Sequence, residues 1–144
     1  MTRNSGFGGE YSVPEKPFRS HKDLDVWKKS VRLVVDLYKV TKHFPPEEHF
    51  GLTSQIRRAS TSVPANIAEG WGRGSTREYV QFPKIARGSL TELDTHLIVS
   101  GELGFVDGVE STRIETAISD VGKMLNRLIK ALDAKQHGMR RELH

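Results

Sequence analysis

The chain has no cysteine. Disulfides, thiolate metal sites and cysteine nucleophiles are therefore excluded, and the composition fits a reducing compartment. No apolar run approaches the ~18 residues of a membrane span. The first residues, Met1-Thr2-Arg3-Asn4-Ser5-Gly6, lack the apolar stretch of a secretory signal. The expectation is a cytoplasmic protein with no membrane partner. No segment alternates apolar and polar residues as a half-buried strand does. Neither His-Glu-x-x-His nor Gly-x-Ser-x-Gly occurs. Dicarboxylate metal bundles need Glu-x-x-His on each of two helices. Here His96 stands four residues from Glu92, and no second pair exists. His21, His43, His49, His137 and His144 are scattered near expected ends and loops. We therefore expect a non-enzyme with no cofactor and no metal.

What is present is helical periodicity. The 144 residues suffice for one domain with a real core. Residues 1–20 hold Gly6, Gly8, Gly9, Pro14 and Pro17 without periodicity and read as a flexible arm. Its Phe7, Tyr11 and Phe18 give it the means to dock on a neighbour. A first helix is expected from Lys22 to Phe44, ended by Pro45-Pro46. It looks apolar on two faces. Leu24, Trp27, Val31, Val34, Tyr38 and Thr41 make one stripe. Val26, Leu33, Leu37 and Val40 make another, about half a revolution away at about 100° per residue. A bundle helix needs only one such face, so the second set is assigned to an oligomer interface.

The second helix is expected over Glu47–Trp71, facing inward with Leu52, Ile56, Ala59, Val63, Ile67 and Gly70. Pro64 should kink it near Ser60–Ser62 or divide it in two. Ser75-Thr76-Arg77-Glu78 has capping-box form and opens a third helix that runs to Ser100. Its inward face reads Tyr79, Phe82, Ala86, Ser89, Leu93 and Leu97, with a bend at Pro83. Gly101 and Gly104 bracket its end. A fourth helix begins near Asp107 or Gly108 with the stripe Ile114, Ile118, Val121, Leu125, Leu128 and Leu132. Four helices with short links predict an all-α, antiparallel up-down-up-down bundle over 21–135, followed by a frayed basic tail over 136–144.

Several stretches resemble one family. They include Asp23-Leu24-Asp25-Val26-Trp27, Leu52-Thr53-Ser54-Gln55-Ile56-Arg57-Arg58-Ala59 and Ser62-Val63-Pro64-Ala65-Asn66-Ile67-Ala68-Glu69-Gly70. Gly88-Ser89-Leu90-Thr91-Glu92-Leu93 and Met124-Leu125-Asn126-Arg127-Leu128-Ile129 belong with them. Over about 18–132 the chain resembles the four-helix bundle proteins encoded in intervening sequences of bacterial 23S ribosomal RNA genes. More distantly it is similar to the accessory variability determinant of diversity-generating retroelements, a basic protein associated with reverse transcriptase and nucleic acid. The resemblance implies the bundle and a ring-shaped homopentamer. Pro83 departs from the family pattern.

The net charge is +4, which permits a nucleic-acid partner without requiring one. Arg57, Arg58, Arg73, Arg77, Lys84 and Arg87 are the candidate nucleic-acid contacts, because a guanidinium fork suits phosphate. The bland alternative is a solvated face paired with Glu47, Glu69 and Glu78. The Trp71–Ser75 turn is either an anion site at a helix start or simply a tight turn. Asn66, Glu69, Ser89 and Glu92 are expected to form a polar seam that fixes register between the second and third helices. The function expected is a non-enzymatic homo-oligomer, pentameric by the resemblance, that binds structured RNA or DNA. A protein–protein scaffold is the alternative.

Overall fold

The computed structural model describes residues 20–143; the expected arm, Ser20 apart, lies outside the described residues. Four α-helices form the bundle: α1 Asp25–Thr41, α2 Leu52–Trp71, α3 Thr76–Glu102 and α4 Gly108–Leu143. Among the described residues there is no strand. Two 3₁₀ turns, His21–Asp23 and Pro46–Glu48, replace the outermost turns expected of the first two helices. Ser20 caps the first, accepting from the Lys22 amide at 3.1 Å, and Asp23 reaches back to the Ser20 amide. Chain neighbours pack on one another, α1 touches α4 lightly, and α1 and α3 occupy diagonal corners, as do α2 and α4.

The expected core faces of α2 and α4 are the observed ones. Ile56, Val63, Ile67, Ile114, Val121, Leu125, Leu128 and Leu132 are all sealed from solvent. On α3 the face shifts slightly. Val80, Pro83 and Leu90 are buried, while Phe82 and Ser89 are half-buried.

The face of α1 is the principal correction. Val26, Leu33 and Leu37, expected at an oligomer interface, are buried in the chain's own core, and Val40 packs against that core. Ser30 and Thr41 complete the inward stripe. Both hydroxyls are satisfied within α1: Ser30 donates to the Trp27 carbonyl at 2.9 Å and Thr41 to the Leu37 carbonyl at 2.7 Å. A serine bonded in this way can be buried at little cost, so it interrupts the apolar pattern without interrupting the core. Of the opposite stripe, Leu24 is buried and Trp27 packs on the core, but Val31 and Val34 are half-covered and Tyr38 is open.

Neither internal proline breaks its helix. Pro64 lies inside an unbroken α2, where the Ser60 and Thr61 hydroxyls donate to the Arg57 carbonyl at 2.9 and 3.0 Å. Pro83 is buried inside α3 and offers no N–H to the carbonyl of Tyr79. That carbonyl lies against Gly70 of α2, where an added Cβ would come within 3.0 Å of it and within 2.9 Å of the Phe82 Cβ. The helices can approach this closely only because residue 70 has no side chain. At the far end of α3, Gly104 takes φ +82°, the left-handed conformation of a helix stop. Beyond, α4 continues to Leu143, past the expected boundary at 135. Its 36 residues reach about 54 Å, against about 30 Å for the 20 of α2.

Gly70 gives a prediction of definite sign. Helix propensity alone favours Gly70→Ala by about 1 kcal/mol. The contact with Phe82 and Tyr79 reverses this, and a net loss of about 1–3 kcal/mol is expected from overpacking. Urea unfolding of the two proteins measures it; a stabilised variant would show that the seam has room to yield.

Candidate nucleic-acid interface

The six candidate cations do not share one surface. Arg57 sits on the side of α2 that faces α1. Its Nε donates to Thr41 Oγ1 at 2.9 Å, its Nη2 donates to the Tyr38 carbonyl at 3.2 Å, and its guanidinium lies 4.4 Å from the Tyr38 ring centre. Arg73, past the end of α2, pairs with Glu69 and covers the Phe82 ring at 4.7 Å. Lys84 and Arg87 lean toward α4 instead. Lys84 Nζ stands 3.7 Å from an Asp133 carboxylate oxygen, and Arg87 donates to Asn126 Oδ1 at 3.1 Å. Of the six, only Arg58 and Arg77 are exposed with no side-chain hydrogen bond or ion pair to a described residue.

The physical reason is that a solvated cation and a clamping cation have the same sequence signature. Which one a given residue becomes depends on the acceptor that the neighbouring helix brings within reach. Arg57 meets Thr41 and Tyr38 because α1 and α2 run antiparallel from the Pro45-Pro46 break.

The Trp71–Ser75 turn spends part of its donors internally. The Gly72 amide donates to the Ala68 and Glu69 carbonyls, and the Arg73 amide donates to the Gly70 carbonyl at 3.0 Å. Ser75 Oγ accepts from the Glu78 amide at 3.2 Å. This is a tight helix–helix turn whose Gly72 and Arg73 amides are used internally.

The polar seam is real but smaller than expected, and it is centred on a residue outside the expected set. Ser62 Oγ lies 2.9 Å from Ser89 Oγ across α2 and α3. Asn66 Nδ2 donates to the Ser62 carbonyl at 2.8 Å and to its hydroxyl at 3.0 Å. Glu69 and Glu92 take no part. Glu69 pairs with Arg73, and Glu92 points outward, 3.3 Å from His96 Nε2. Carboxylates are costly to bury unpaired, and each is exposed beside a cation or histidine four residues away.

Two features escaped the sequence reading. One is an open groove between α1 and α2, about 570 Å³, lined by Val34, Val35, Tyr38, Lys39, Lys42, Arg57 and Thr61. Tyr38 falls in the stripe expected to face inward, which conceals its nearness to Lys39 and Lys42. The other is the α1–α4 ion cluster. Arg113 donates to both oxygens of Asp36, at 2.5 and 3.1 Å, and to Glu110 at 2.5 Å. Its hydrogen bonds to Asp36 and then Glu110 push its pKa further above the ordinary guanidinium range, so it stays charged. Lys29 and Asp120 add a looser pair at 3.9 Å.

The clamp role of Arg57 is measurable. Arg57→Ala should lower stability by about 1–2 kcal/mol, since Thr41 and Tyr38 each lose a charged donor. Arg58→Ala, one residue on, should change it by less than about 0.5 kcal/mol. Equal effects in thermal denaturation would mean that Arg57 is merely solvated.

The comparisons with known proteins bear on this arrangement. A crystal structure of a protein of unknown function from the S23 ribosomal protein family of Bacteroides thetaiotaomicron matches with a TM-score of 0.65 and 25% identity. The match covers 73% of this chain and 98% of that one. No curated protein matches. The family model for 23S rRNA-intervening sequence proteins matches residues 22–127, from the turn before α1 deep into α4. The chain belongs to the 23S rRNA-intervening sequence protein family.

Proposed function

We propose that this chain is a non-enzymatic subunit that assembles with copies of itself, as a pentamer by the family resemblance, and binds nucleic acid, RNA foremost. The observation that carries the assembly half is an apolar end of the bundle. The Phe44 and Phe105 rings meet at 5.6 Å and tie the α1–α2 connection to the α3–α4 connection, so both lie at the same end. Phe50 at that end is 90% exposed, Val109 82% and Leu103 56%. Ile98 and Val99, about half exposed, continue the apolar surface along α3. Scattered single apolar residues are ordinary on a surface, but a concentration of large ones at one place marks a contact site. This end takes over the role first assigned to the stripe of α1 that is now in the core.

The nucleic-acid half is supported by the positive balance and by the cations that remain outward, Arg58 and Arg77 together with Lys39 and Lys42. In a ring each such site is repeated in every subunit, so individually weak phosphate contacts gain by multivalency. The non-enzymatic reading is supported by the surroundings of the carboxylates. The pair closest to an acid–base couple, Glu92 and His96, lies on the outer surface of α3 with Glu92 exposed. The protein scaffold remains the competing reading, because the same apolar end would serve a different protein equally well.

Two measurements test the proposal. In Phe50→Asp/Val109→Asp, light scattering should show a fall to the monomer mass with unchanged far-UV helicity; an unchanged oligomer mass would remove this end as the interface. Nuclease-treated protein should bind RNA with a steep salt dependence, the logarithm of affinity falling with that of salt by about 0.7 per single-strand phosphate contact. Absence of binding at low salt would leave the scaffold reading in its place.

A further inference from the structure

We infer that the groove between α1 and α2 is a docking site for a nucleotide of single-stranded RNA, its base against Tyr38 and its phosphates toward Lys39 and Lys42. The inference rests on the nucleic-acid reading above and gives it a place that, of the six expected cations, includes only Arg57.

The groove combines an apolar floor with a rim of one charge. Val34, Val35 and Tyr38 supply the floor, Lys39, Lys42 and Arg57 carry positive charge, and no carboxylate is among its lining residues. Its volume, about 570 Å³, lies within the ~300–1,000 Å³ range of small-ligand sites. The complementary ligand is anionic and carries a flat apolar group.

Tyr38 is a prepared platform. Arg57 covers its ring at 4.4 Å and is itself fixed by Thr41 Oγ1 and the Tyr38 carbonyl. The residue is still 42% exposed, so much of it remains open to an incoming base. A ring held in this way loses little freedom when a base stacks on it. Arg57 uses Nε and one Nη2 hydrogen in the clamp, and the rest of its five donors remain for an anion. The aromatic platform beside cations is the usual arrangement for single strands, whose bases are unstacked and available. In a duplex the bases are paired and stacked and cannot reach the floor of a groove.

An acidic peptide would satisfy the same charges, but a bound helix needs apolar contacts over several turns. The apolar floor here spans Val34 to Tyr38, little more than one turn of α1. The segment Phe7–Glu15, with Tyr11, Glu10 and Glu15, is the acidic-aromatic competitor within the chain itself.

The test uses the full-length protein and a fluorescein-labelled oligo(U) of about fifteen nucleotides, followed by anisotropy over a salt series starting near 50 mM. Lys39→Glu/Lys42→Glu should weaken binding at least about tenfold and flatten the salt slope by about 1.4, two single-strand phosphate contacts. Tyr38→Leu should weaken it about tenfold, the loss of one stacked base, while Tyr38→Phe binds like the parent. Far-UV circular dichroism confirms that each variant is folded; the lysines are surface residues outside the core, so their double variant keeps the test decisive if Tyr38→Leu unfolds. If the parent binds and both the lysine and Tyr38→Leu variants bind equally well, the groove inference falls and the nucleic-acid reading stands. The groove would then be open to the acidic-aromatic competitor. If the parent binds no RNA at low salt, both fall.

Discussion

The closeness of α2 and α3 is the constraint on which the rest of the bundle depends. Gly70 leaves no room for a methyl group against Phe82 and Tyr79, and Ser62 and Ser89 share a hydrogen bond nearer the middle of the pair. Ala59 and Ala86 are small and buried on the same two helices. Small residues permit the approach, and the hydroxyl bond selects one register among those that small residues would allow. With this pair locked, the remaining flank of α2 is presented to α1 and that of α3 to α4. The outer helices then share only a light contact, reinforced by Arg113 with Asp36 and Lys29 with Asp120. Exposed pairs of this kind are worth about 0–1 kcal/mol each, so they orient α1 against α4 more than they hold it there.

How much of this was legible depended on what each pattern had to compete with. In α4 the 3- and 4-residue spacing from Ile114 to Leu132 has no second apolar face beside it, and the predicted core is the observed one. In α1 two apolar stripes compete. The decisive residue is Ser30, which is fully buried but polar, and its partner is a carbonyl of its own helix. Periodicity counts it against the stripe to which it belongs. The same blindness hid Ser62, the centre of the polar seam, behind the more noticeable Asn66 and the two glutamates. Hydropathy describes a residue type, whereas burial depends on whether a local acceptor is within reach.

The cations show a different limit. Arg57 and Arg58 are adjacent and identical in type, and no local rule separates them. One is a clamp between helices and the other a free surface charge because successive helical residues diverge by about 100°. The seam between α1 and α2 settles their roles, and that seam is a tertiary fact. The family resemblance shared this limit, since it matched the motif without distinguishing its two arginines.

The corrected orientation of α1 also changes what the helix can do. With Val26, Ser30, Leu33, Leu37 and Thr41 inward, Val34 and Tyr38 come to the edge beside α2, next to Val35, instead of the centre of the bundle. The apolar surplus that first pointed to a partner chain is therefore real, but it lies on the other stripe and is bordered by Lys39, Lys42 and Arg57. A helix–helix contact between copies would have to desolvate these cations without a carboxylate among the groove's lining residues to pair with them, a cost of several kcal/mol per ion before relaxation. The end carrying Phe50, Leu103 and Val109 also has the exposed Glu47, Glu102 and Asp107, but its apolar side chains are more exposed than those of the groove, so the proposed assembly is placed there and the groove is left to an anionic ligand. The two surfaces are also neighbours, because Lys42 stands just past the end of α1 and the apolar end begins with the connection that follows it. Copies meeting through that end would bring their grooves near one another, and a flexible single strand could then occupy several in succession. Each further contact would be intramolecular, with an effective concentration set by the spacing of the copies. In the proposed arrangement, assembly and weak, repeated nucleotide binding would both follow from one placement of α1.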